Sequence, residues 1–522
     1  MSDAPVARAR GSAVWLVALA VLGFGLYAAN WNDYFLGDDF DLIHSFHGKP
    51  FGYFPALLWS NESGDVWKSW GIDPALGRGY LRPFKIWMLA LDSALWGTHP
   101  LGYHLVSSAC FAAIVGLVFA IARRAVPEHP VLAAAGAAAV ALHPVFAEVV
   151  PFVTAREELV ATACGLAAFV AFLRHREDGR SPWPFHLFYA LALLTKESAI
   201  VFLALPLGWD LAQGRLWPLS RERALGLARS YAPSAALLVV YFALRFAAFG
   251  NFVGGDGGQL SYLSPAAFAA FHARLWASLG DPTLLSIGGA PAGPSSVGAV
   301  LVLLVAATLA SWPRTPLARR RALCFFGPLW YAAATAILHG TYFAVRHNLL
   351  PVIGIALFVT VALDTLVSIW WPRGTHACAI ALVAVSAALF GPPSRETSAE
   401  WHAASVAVAE IRATIEQRSA GLPAGCTVSI SGVPQWVVPP FFFGWGLRSA
   451  LSRPFTASDL AQTCTVYNAR NVELNHMPLA KPKHSDLDIE IDPDRWVTKP
   501  MLERRRLRFL RDVVVRGDDR AQ

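Results

Sequence analysis

Residues 11–30, GSAVWLVALAVLGFGLYAAN, followed closely by Gly37-Asp38-Asp39-Phe40, decide how this chain is read. The first stretch carries no charge and is long enough to cross a bilayer. Arg8 and Arg10 precede it, and the positive-inside bias then puts the N-terminus in the cytoplasm. The start resembles a signal peptide, but Leu26-Tyr27-Ala28 lacks the small-residue cleavage pattern, so a retained anchor is expected. The two carboxylates emerge on the far side, at the membrane surface. Acids there have no part in spanning lipid, and they are well placed to act on a substrate whose tail lies in it.

Working outward, the rest of the chain extends the same theme. Of 522 residues 55% are hydrophobic and only 15% charged, which excludes a soluble domain and implies a polytopic α-helical membrane protein. A net charge of +7 raises the question of a nucleic-acid partner. The arginines, however, stand in short clusters between apolar runs: Arg123-Arg124, Arg174/Arg176/Arg180, Arg215/Arg221/Arg223, Arg319-Arg320-Arg321 and Arg373. That pattern carries topology, not phosphate binding, so the bilayer is the expected partner and nucleic acid is not.

Eleven spans are predicted, near 11–30, 101–122, 130–147, 152–173, 183–195, 198–213, 230–249, 297–312, 322–340, 349–371 and 375–391. With sides alternating, every arginine cluster falls on the cytoplasmic side. Residues 82–97 (RPFKIWMLALDSALWG) are short and interrupted by Lys85 and Asp92. Counted as a span they would invert everything after them, so they read as an amphipathic helix on the outer membrane surface. They lie in an outer loop, 31–100, that also holds Trp59, Trp67, Trp70 and Trp87, a composition suited to interfacial anchoring. A second outer loop, 250–296, contains Gly254-Gly255-Asp256-Gly257-Gly258 and suits either a gate over a site or a plain connection.

From residue 392 the composition becomes that of a soluble domain. Trp401, Ala404, Val408, Ile411 and Ile415 recur at helical spacing, while 426–431 and 486–491 alternate like strands. The expected organisation is a transmembrane domain, 1–391, and a small α+β periplasmic domain, 392–522. The basic run Arg504-Arg505-Arg506, Arg508, Arg511 reads as a solvated helix face. Cys426 and Cys464 are the two cysteines of this polar region and are candidates for a disulfide, whereas Cys110, Cys164, Cys324 and Cys378 lie in apolar runs.

On the predicted topology the remaining polar clusters share one face: Asp38-Asp39, Arg82, His143 to Glu148, Arg156-Glu157-Glu158, Lys196-Glu197 and Arg346-His347. Each alone suits an ion pair or a snorkelling anchor, and Asp39 also suits a helix cap. Together they suit a reaction that deprotonates an acceptor and releases an anion. Adjacent carboxylates also suit a hard cation, and His143 and Glu148 are candidates to complete such a set, although their spacing is not that of HExxH. A divalent metal is the less favoured reading.

These motifs, in this order, resemble a family. Tyr80-Leu81-Arg82-Pro83-Phe84, then Gly97 to His104, His143-Pro144 with Glu148, Arg156-Glu157-Glu158-Leu159, Thr195-Lys196-Glu197 and Arg346 with Leu350-Pro351 and Gly354 are similar to the transmembrane part of the transmembrane-and-tetratricopeptide O-mannosyltransferases. More broadly the chain resembles the GT-C glycosyltransferases, including protein mannosyltransferases and lipid A aminoarabinose transferases. The resemblance covers about residues 12–391. It implies a GT-C-like fold and a sugar donor on a polyprenyl-phosphate carrier, with an acid of the first outer loop in catalysis. Three departures stand out. Phe146 replaces a frequent second His, Val345 stands where an acid is usual before Arg346, and the tail has no tetratricopeptide repeats.

The function expected is therefore glycosyl transfer, with inversion, on the periplasmic side of a bacterial inner membrane. Asp38 is the expected base, with Asp39 orienting it or holding the acceptor. Arg346, with Arg82 and Lys196 as auxiliaries, is expected to hold the donor phosphate, because a guanidinium can bind two phosphate oxygens. His143, Glu148, Arg156, Glu158 and Glu197 support the site, and no cofactor is required. The alternative is a transporter or flippase of lipid-linked saccharides, against which the sequence shows neither paired halves nor broken helices with midplane charges. Asp364, the main acid within a span, is expected to be a bundle hydrogen-bonding residue. A non-catalytic scaffold is a third reading, on which Asp38 and Asp39 are dispensable. Sugar and acceptor are not legible. Reporter fusions after residues 70, 270 and 450 should signal periplasm, and those after 125, 220 and 320 cytoplasm. A cytoplasmic signal at 450 would mean an odd error in the count.

Overall fold

The structure, a computed structural model, describes residues 4–49, 80–216, 220–250, 252, 265–278, 296–336, 338, 345–433, 442–444, 446–468, 484–492 and 495. Trp59, Trp67 and Trp70, the glycine-rich run 254–258 and the basic run 504–511 lie outside the described residues.

The chain is mostly helical. In order come α1 (Ala4–Gly25), α2 (Asp38–Phe46), α3 (Pro83–Trp96), α4 (Pro100–Ala125), α5 (Pro130–Leu142), α6 (Arg156–Asp178), α7 (Trp183–Thr195), α8 (Val201–Ala212) and α9 (Arg221–Phe249). Then follow α10 (Pro265–Ser278), α11 (Ser296–Ala310), α12 (Leu317–Cys324), α13 (Trp330–Thr335), α14 (Leu349–Trp370) and α15 (Thr375–Arg418). Among the described residues seven helices are long and apolar enough to cross a membrane. Proline opens α3, α4 and α5, where its missing N–H is one the helix start does not use.

The middle of the bundle is α5. Its sequence, PVLAAAGAAAVAL, is almost all small, and Leu132 to Ala141 are buried without a break. Small side chains let backbones approach closely, and α5 packs against α1, α4, α14 and α15. At Gly136 a Cβ would stand 2.0 Å from Thr360 Oγ1 of α14, so glycine is required at that crossing.

The arginine clusters gather at one end. Arg123 of α4 donates to Ser12 Oγ of α1, and Arg124 pairs with Glu177 of α6 at 3.3 Å. Asp210 at the end of α8 receives Arg176 at 2.7 Å and Arg215 at 3.0 Å. Asp364 of α14 receives Arg319 at 2.8 Å and also pairs with His129, so it is an ion-pairing residue of the bundle.

Helix α3 is amphipathic, but with its charges turned inward. Lys85, Ile86, Leu89 and Asp92 are buried, while Trp87, Leu91, Leu95 and Trp96 are exposed. The two charges that interrupt this segment in the sequence face ionic partners inside the protein, and the apolar side faces out.

Helix α15 runs 44 residues and passes through Pro392 and Pro393. The change in composition at 391/392 falls inside it, so that change marks new surroundings and not the end of a helix. Trp401, Ala404, Val408, Ile411 and Ile415 are all buried. Beyond it, β1 (Thr427–Ser431) is the centre of a three-stranded parallel sheet between β2 (Thr465–Asn468) and β3 (Leu487–Glu490). Cys426 and Cys464, each just before a strand, are joined with Cα atoms 4.6 Å apart.

The bridge closes a separation of 38 residues, for which loop entropy in the unfolded chain amounts to about 4 kcal/mol. Peptide mapping without reductant should recover the two cysteines linked, and Cys464→Ser should lower the melting temperature. Free thiols at both positions would end this assignment.

Candidate active site

The site begins where α1 ends. Asn30 Nδ2 donates to Asp33 Oδ2 at 2.6 Å and to the Ser398 carbonyl of α15 at 3.0 Å. His402, also of α15, meets Asp33 Oδ1 at 2.6 Å, and His104 of α4 meets the Asp33 carbonyl at 2.9 Å. The next turn places Phe35, Leu36 and Phe40 in the core. Gly37 then has φ 53° and ψ −123°, a conformation suited to glycine, and α2 starts at Asp38.

The two acids differ sharply. Asp39 is 2% exposed. Its Oδ1 accepts from the Thr154 amide at 2.7 Å and the Thr154 hydroxyl at 2.5 Å, and its Oδ2 accepts from the Leu36 amide at 3.1 Å. Burial pushes its pKa up to about 7, against the pull of those hydrogen bonds. The cap reading of Asp39 is not met: α2 is capped by Gly37 with no side-chain cap bond, and Asp39 bonds back to Leu36 and across to the loop before α6. Asp38 is only half-buried, in the first turn of α2.

Behind this turn lies a buried ion cluster built on Glu157. Arg82 reaches Glu157 at 2.8 Å and Glu197 at 2.6 Å. Lys85 reaches Glu157 at 2.7 Å, and Lys196 reaches Glu157 at 3.2 Å and also pairs with Glu158. Among the described residues three cations meet three carboxylates, so the described charges balance. Burial would raise the Glu197 carboxyl, but Arg82 and Lys196 hold it down to about 2. The Arg82 guanidinium also lies 4.1 Å from the centre of the Tyr80 ring.

Arg82 and Lys196, expected as phosphate auxiliaries, are therefore committed to carboxylates. Glu158 and Glu197 belong to the same cluster. Arg156 does not: it pairs with Asp92 and donates to Ser107 Oγ at 3.1 Å and the Tyr103 carbonyl at 2.6 Å, anchoring α6 to α3 and α4. His143 caps the short helical turn Pro144–Glu148, accepting from the Val145 amide at 3.2 Å, and its ring lies 4.7 Å from that of Phe390. Glu148 is buried at the end of that turn. The turn Val345–Asn348, which carries Arg346, packs against it, and Arg346 is half-exposed. Phe146 is buried against Phe111 with ring centroids 4.6 Å apart, so the departure from the family motif puts packing in place of a polar group. Among the described residues no group of three or more His, Cys, Asp or Glu is arranged to hold a metal ion.

Four participants escape a sequence reading. Lys85 and Asp92 look like interruptions of a span. Glu157 sits within a quoted motif but is not distinguished from its neighbours, and nothing marks Thr154. The cue available for the first three is charge on a helix too apolar to tolerate it unpaired.

Breaking a buried ionic group by removing one member costs about 3–5 kcal/mol, because a charge is left uncompensated. Among the described residues Glu157→Gln leaves three cations against two carboxylates. It should depress thermal stability in detergent more than Glu197→Gln does, since Glu197 is 31% exposed and its one described ion pair is with Arg82. Equal melting of the two variants would remove Glu157 from the centre of the cluster.

Residues 82–250 match the family described as dolichyl-phosphate-mannose-protein mannosyltransferase. The chain is 34% identical over 194 residues to the protein O-mannosyl-transferase Tmtc1 of Drosophila melanogaster, covering 36% of this chain and 22% of that protein. It is 29% identical over 170 residues to Tmtc2 of the same organism, covering 31% of this chain and 18% of that one. The chain thus spans about a fifth of the length of these relatives. Among solved structures, ArnT from Cupriavidus metallidurans bound to undecaprenyl phosphate aligns with TM-score 0.40 and 18% identity over 78% of this chain and 72% of that one. The apo form of ArnT aligns with TM-score 0.33 and 18% identity, over 81% and 82%. Both are too distant to bear on individual residues. By its sequence the chain is similar to GT-C glycosyltransferases, with the likeness carried by the segment that holds Arg82, the Glu157 cluster and the turn of His143.

Proposed function

We propose that this protein transfers a sugar from a polyprenyl-phosphate carrier to an acceptor on the outer side of the membrane, with inversion at the anomeric carbon. Mannose is the sugar to test first, because the matching family is described by it. The observation that carries the reading is the division of labour within the acid pair. Asp39 is buried and bonded to Thr154 and Leu36, whereas Asp38 is half-buried in the first turn of α2, so Asp38 is the more accessible of the two carboxylates to an acceptor.

In the reaction Asp38 takes the proton of an acceptor hydroxyl or amine as that atom attacks the anomeric carbon. The new bond forms as the bond to the carrier phosphate breaks, and polyprenyl phosphate leaves as the anion. Arg346 meets the charge on that phosphate, so the reading needs no metal. Arg82 and Lys196 pair with Glu157, Glu158 and Glu197 and serve by shaping the site, while the fork of the half-exposed Arg346 suits the phosphate role. A mostly apolar cavity with His143 on its wall, lined by Ala139, Val352, Ile355, Leu389 and Phe390, supports a lipid-borne donor.

The same reading extends to topology and place. Eleven crossings, with the N-terminus and all arginine clusters inside, agree with the gathering of those clusters at one end. The acid turn and the region after α15 then lie in the periplasm, and a bacterial inner membrane is the proposed location.

Asp38→Asn keeps the shape but cannot take the proton, and should cut turnover of polyprenyl-phosphate mannose on the order of 10²–10⁴-fold with unchanged membrane insertion. Arg346→Ala should raise the donor KM, and Arg346→Lys should restore only part of it. Near-normal turnover by Asp38→Asn would overturn the base assignment. Transfer from GDP-mannose alone, in a preparation free of lipid carrier, would overturn the donor class.

A further inference from the structure

Helix α2 is only nine residues long, and much of what holds it comes from the C-terminal region. The Gly37 amide donates to the Phe442 carbonyl at 2.7 Å. Phe443 stacks on Phe40 with centroids 6.0 Å apart. Phe455 meets Phe40 edge-on at 4.9 Å and Phe35 at 5.7 Å. The Ser449 hydroxyl donates to the Asp41 carboxylate, and His44 Nδ1 hydrogen-bonds the Arg453 carbonyl at 2.6 Å. Gly446 lies so close that a Cβ there would stand 2.2 Å from the Gly37 carbonyl oxygen and 3.1 Å from Phe40 Cβ. Arg412 of α15 secures the far side of this segment, donating to the Phe455 carbonyl at 2.6 Å.

Of these contacts, those of Gly37, Phe40 and Asp41 fall on the first turn of α2, the one that carries Asp38, and that of His44 on its last. A free nine-residue helix has little stability of its own, so its direction is set by what packs on it. On one side that is Thr154 through Asp39; on the other it is the stretch from Phe442 to Phe455. Asp38 opens the helix that the two hold.

We infer that this C-terminal stretch, through Phe442, Phe443, Gly446 and Ser449, is a positioning part of the active site that aims Asp38 at the acceptor. The inference rests on the reading of Asp38 as the base. Its residues touch neither donor nor acceptor; they act through α2. A base displaced by about 1 Å loses on the order of 10²-fold in rate, so the clamp should be felt in turnover and not in donor affinity.

The test uses the purified full chain with polyprenyl-phosphate mannose, comparing wild type, Gly446→Ala, Ser449→Ala and Asp38→Asn. Gly446→Ala pushes the segment off Gly37. It should speed hydrogen–deuterium exchange in peptides spanning 33–46 while leaving those from α4 and α6 unchanged. It should lower kcat by roughly 10- to 100-fold with donor KM within about twofold. Ser449→Ala adds no bulk, should give a smaller loss of the same kind, and carries the test if Gly446→Ala does not fold. Unchanged exchange in 33–46, or faster exchange with wild-type kcat, would overturn the clamp. A raised donor KM with unchanged kcat would overturn it too, by making the segment part of donor binding. The two ideas fail differently: an active Asp38→Asn removes the base, whereas an inactive Asp38→Asn beside a fully active Gly446→Ala removes only the clamp.

Discussion

Everything near the acid turn depends on the ion cluster around Glu157. Among the described residues three cations and three carboxylates meet, all but Glu197 buried, and no single buried pair among them would repay its own desolvation. As a set they balance, and each pair ties two elements. Arg82 and Lys85 bring the start of α3 to the start of α6, and Lys196 brings the junction of α7 and α8 to the same place. The position of α6 in turn fixes Thr154, which holds Asp39, which orients the first turn of α2. The chemistry proposed for Asp38 is thus two steps removed from an ionic arrangement that itself takes no part in bond making.

The other end of the bundle uses the same physics for a different purpose. Asp210 and Asp364 each gather two basic partners, joining α6 to α8 and α5 to α12 and α14. Between the two charged ends the contacts are apolar and close, with the alanine-rich α5 at the centre. The short turn after α5 carries His143 and Glu148, so the most tightly packed helix of the bundle leads straight into the polar face. Rigid support directly behind a site keeps its groups in register.

How much of this could be read beforehand follows from the range of each interaction. The apolar runs, the positions of the arginines and the helical stripe from Trp401 to Ile415 are local patterns, and they are legible. The order of short motifs points to the GT-C resemblance. The ion pairs are not legible in the same way. Arg82 was open to a phosphate or to a glutamate, and only folding shows it spent on Glu157 and Glu197. Lys85 and Asp92 look like faults in a span because sequence shows their cost and not their partners. The boundary at 391/392 falls inside α15, because side-chain composition can change along a helix whose backbone hydrogen bonds continue regardless of it. The packing of Phe443 on Phe40 joins distant parts of the chain, and no periodicity carries that information.

Helix α15 makes the molecule sensitive to length. At 1.5 Å per residue its 44 residues trace about 66 Å, roughly twice the ~30 Å hydrocarbon thickness of a bilayer. It is bonded to the loop after α1 through Ser398 and His402 near its middle, and through Arg412 to Phe455 near its end. Adding one residue between those fastenings would turn everything beyond by about 100° and raise it by about 1.5 Å. The helix therefore acts as a ruler whose divisions are single residues. Insertions that a surface loop absorbs would here swing the C-terminal region out of register with the turn that bears the two acids.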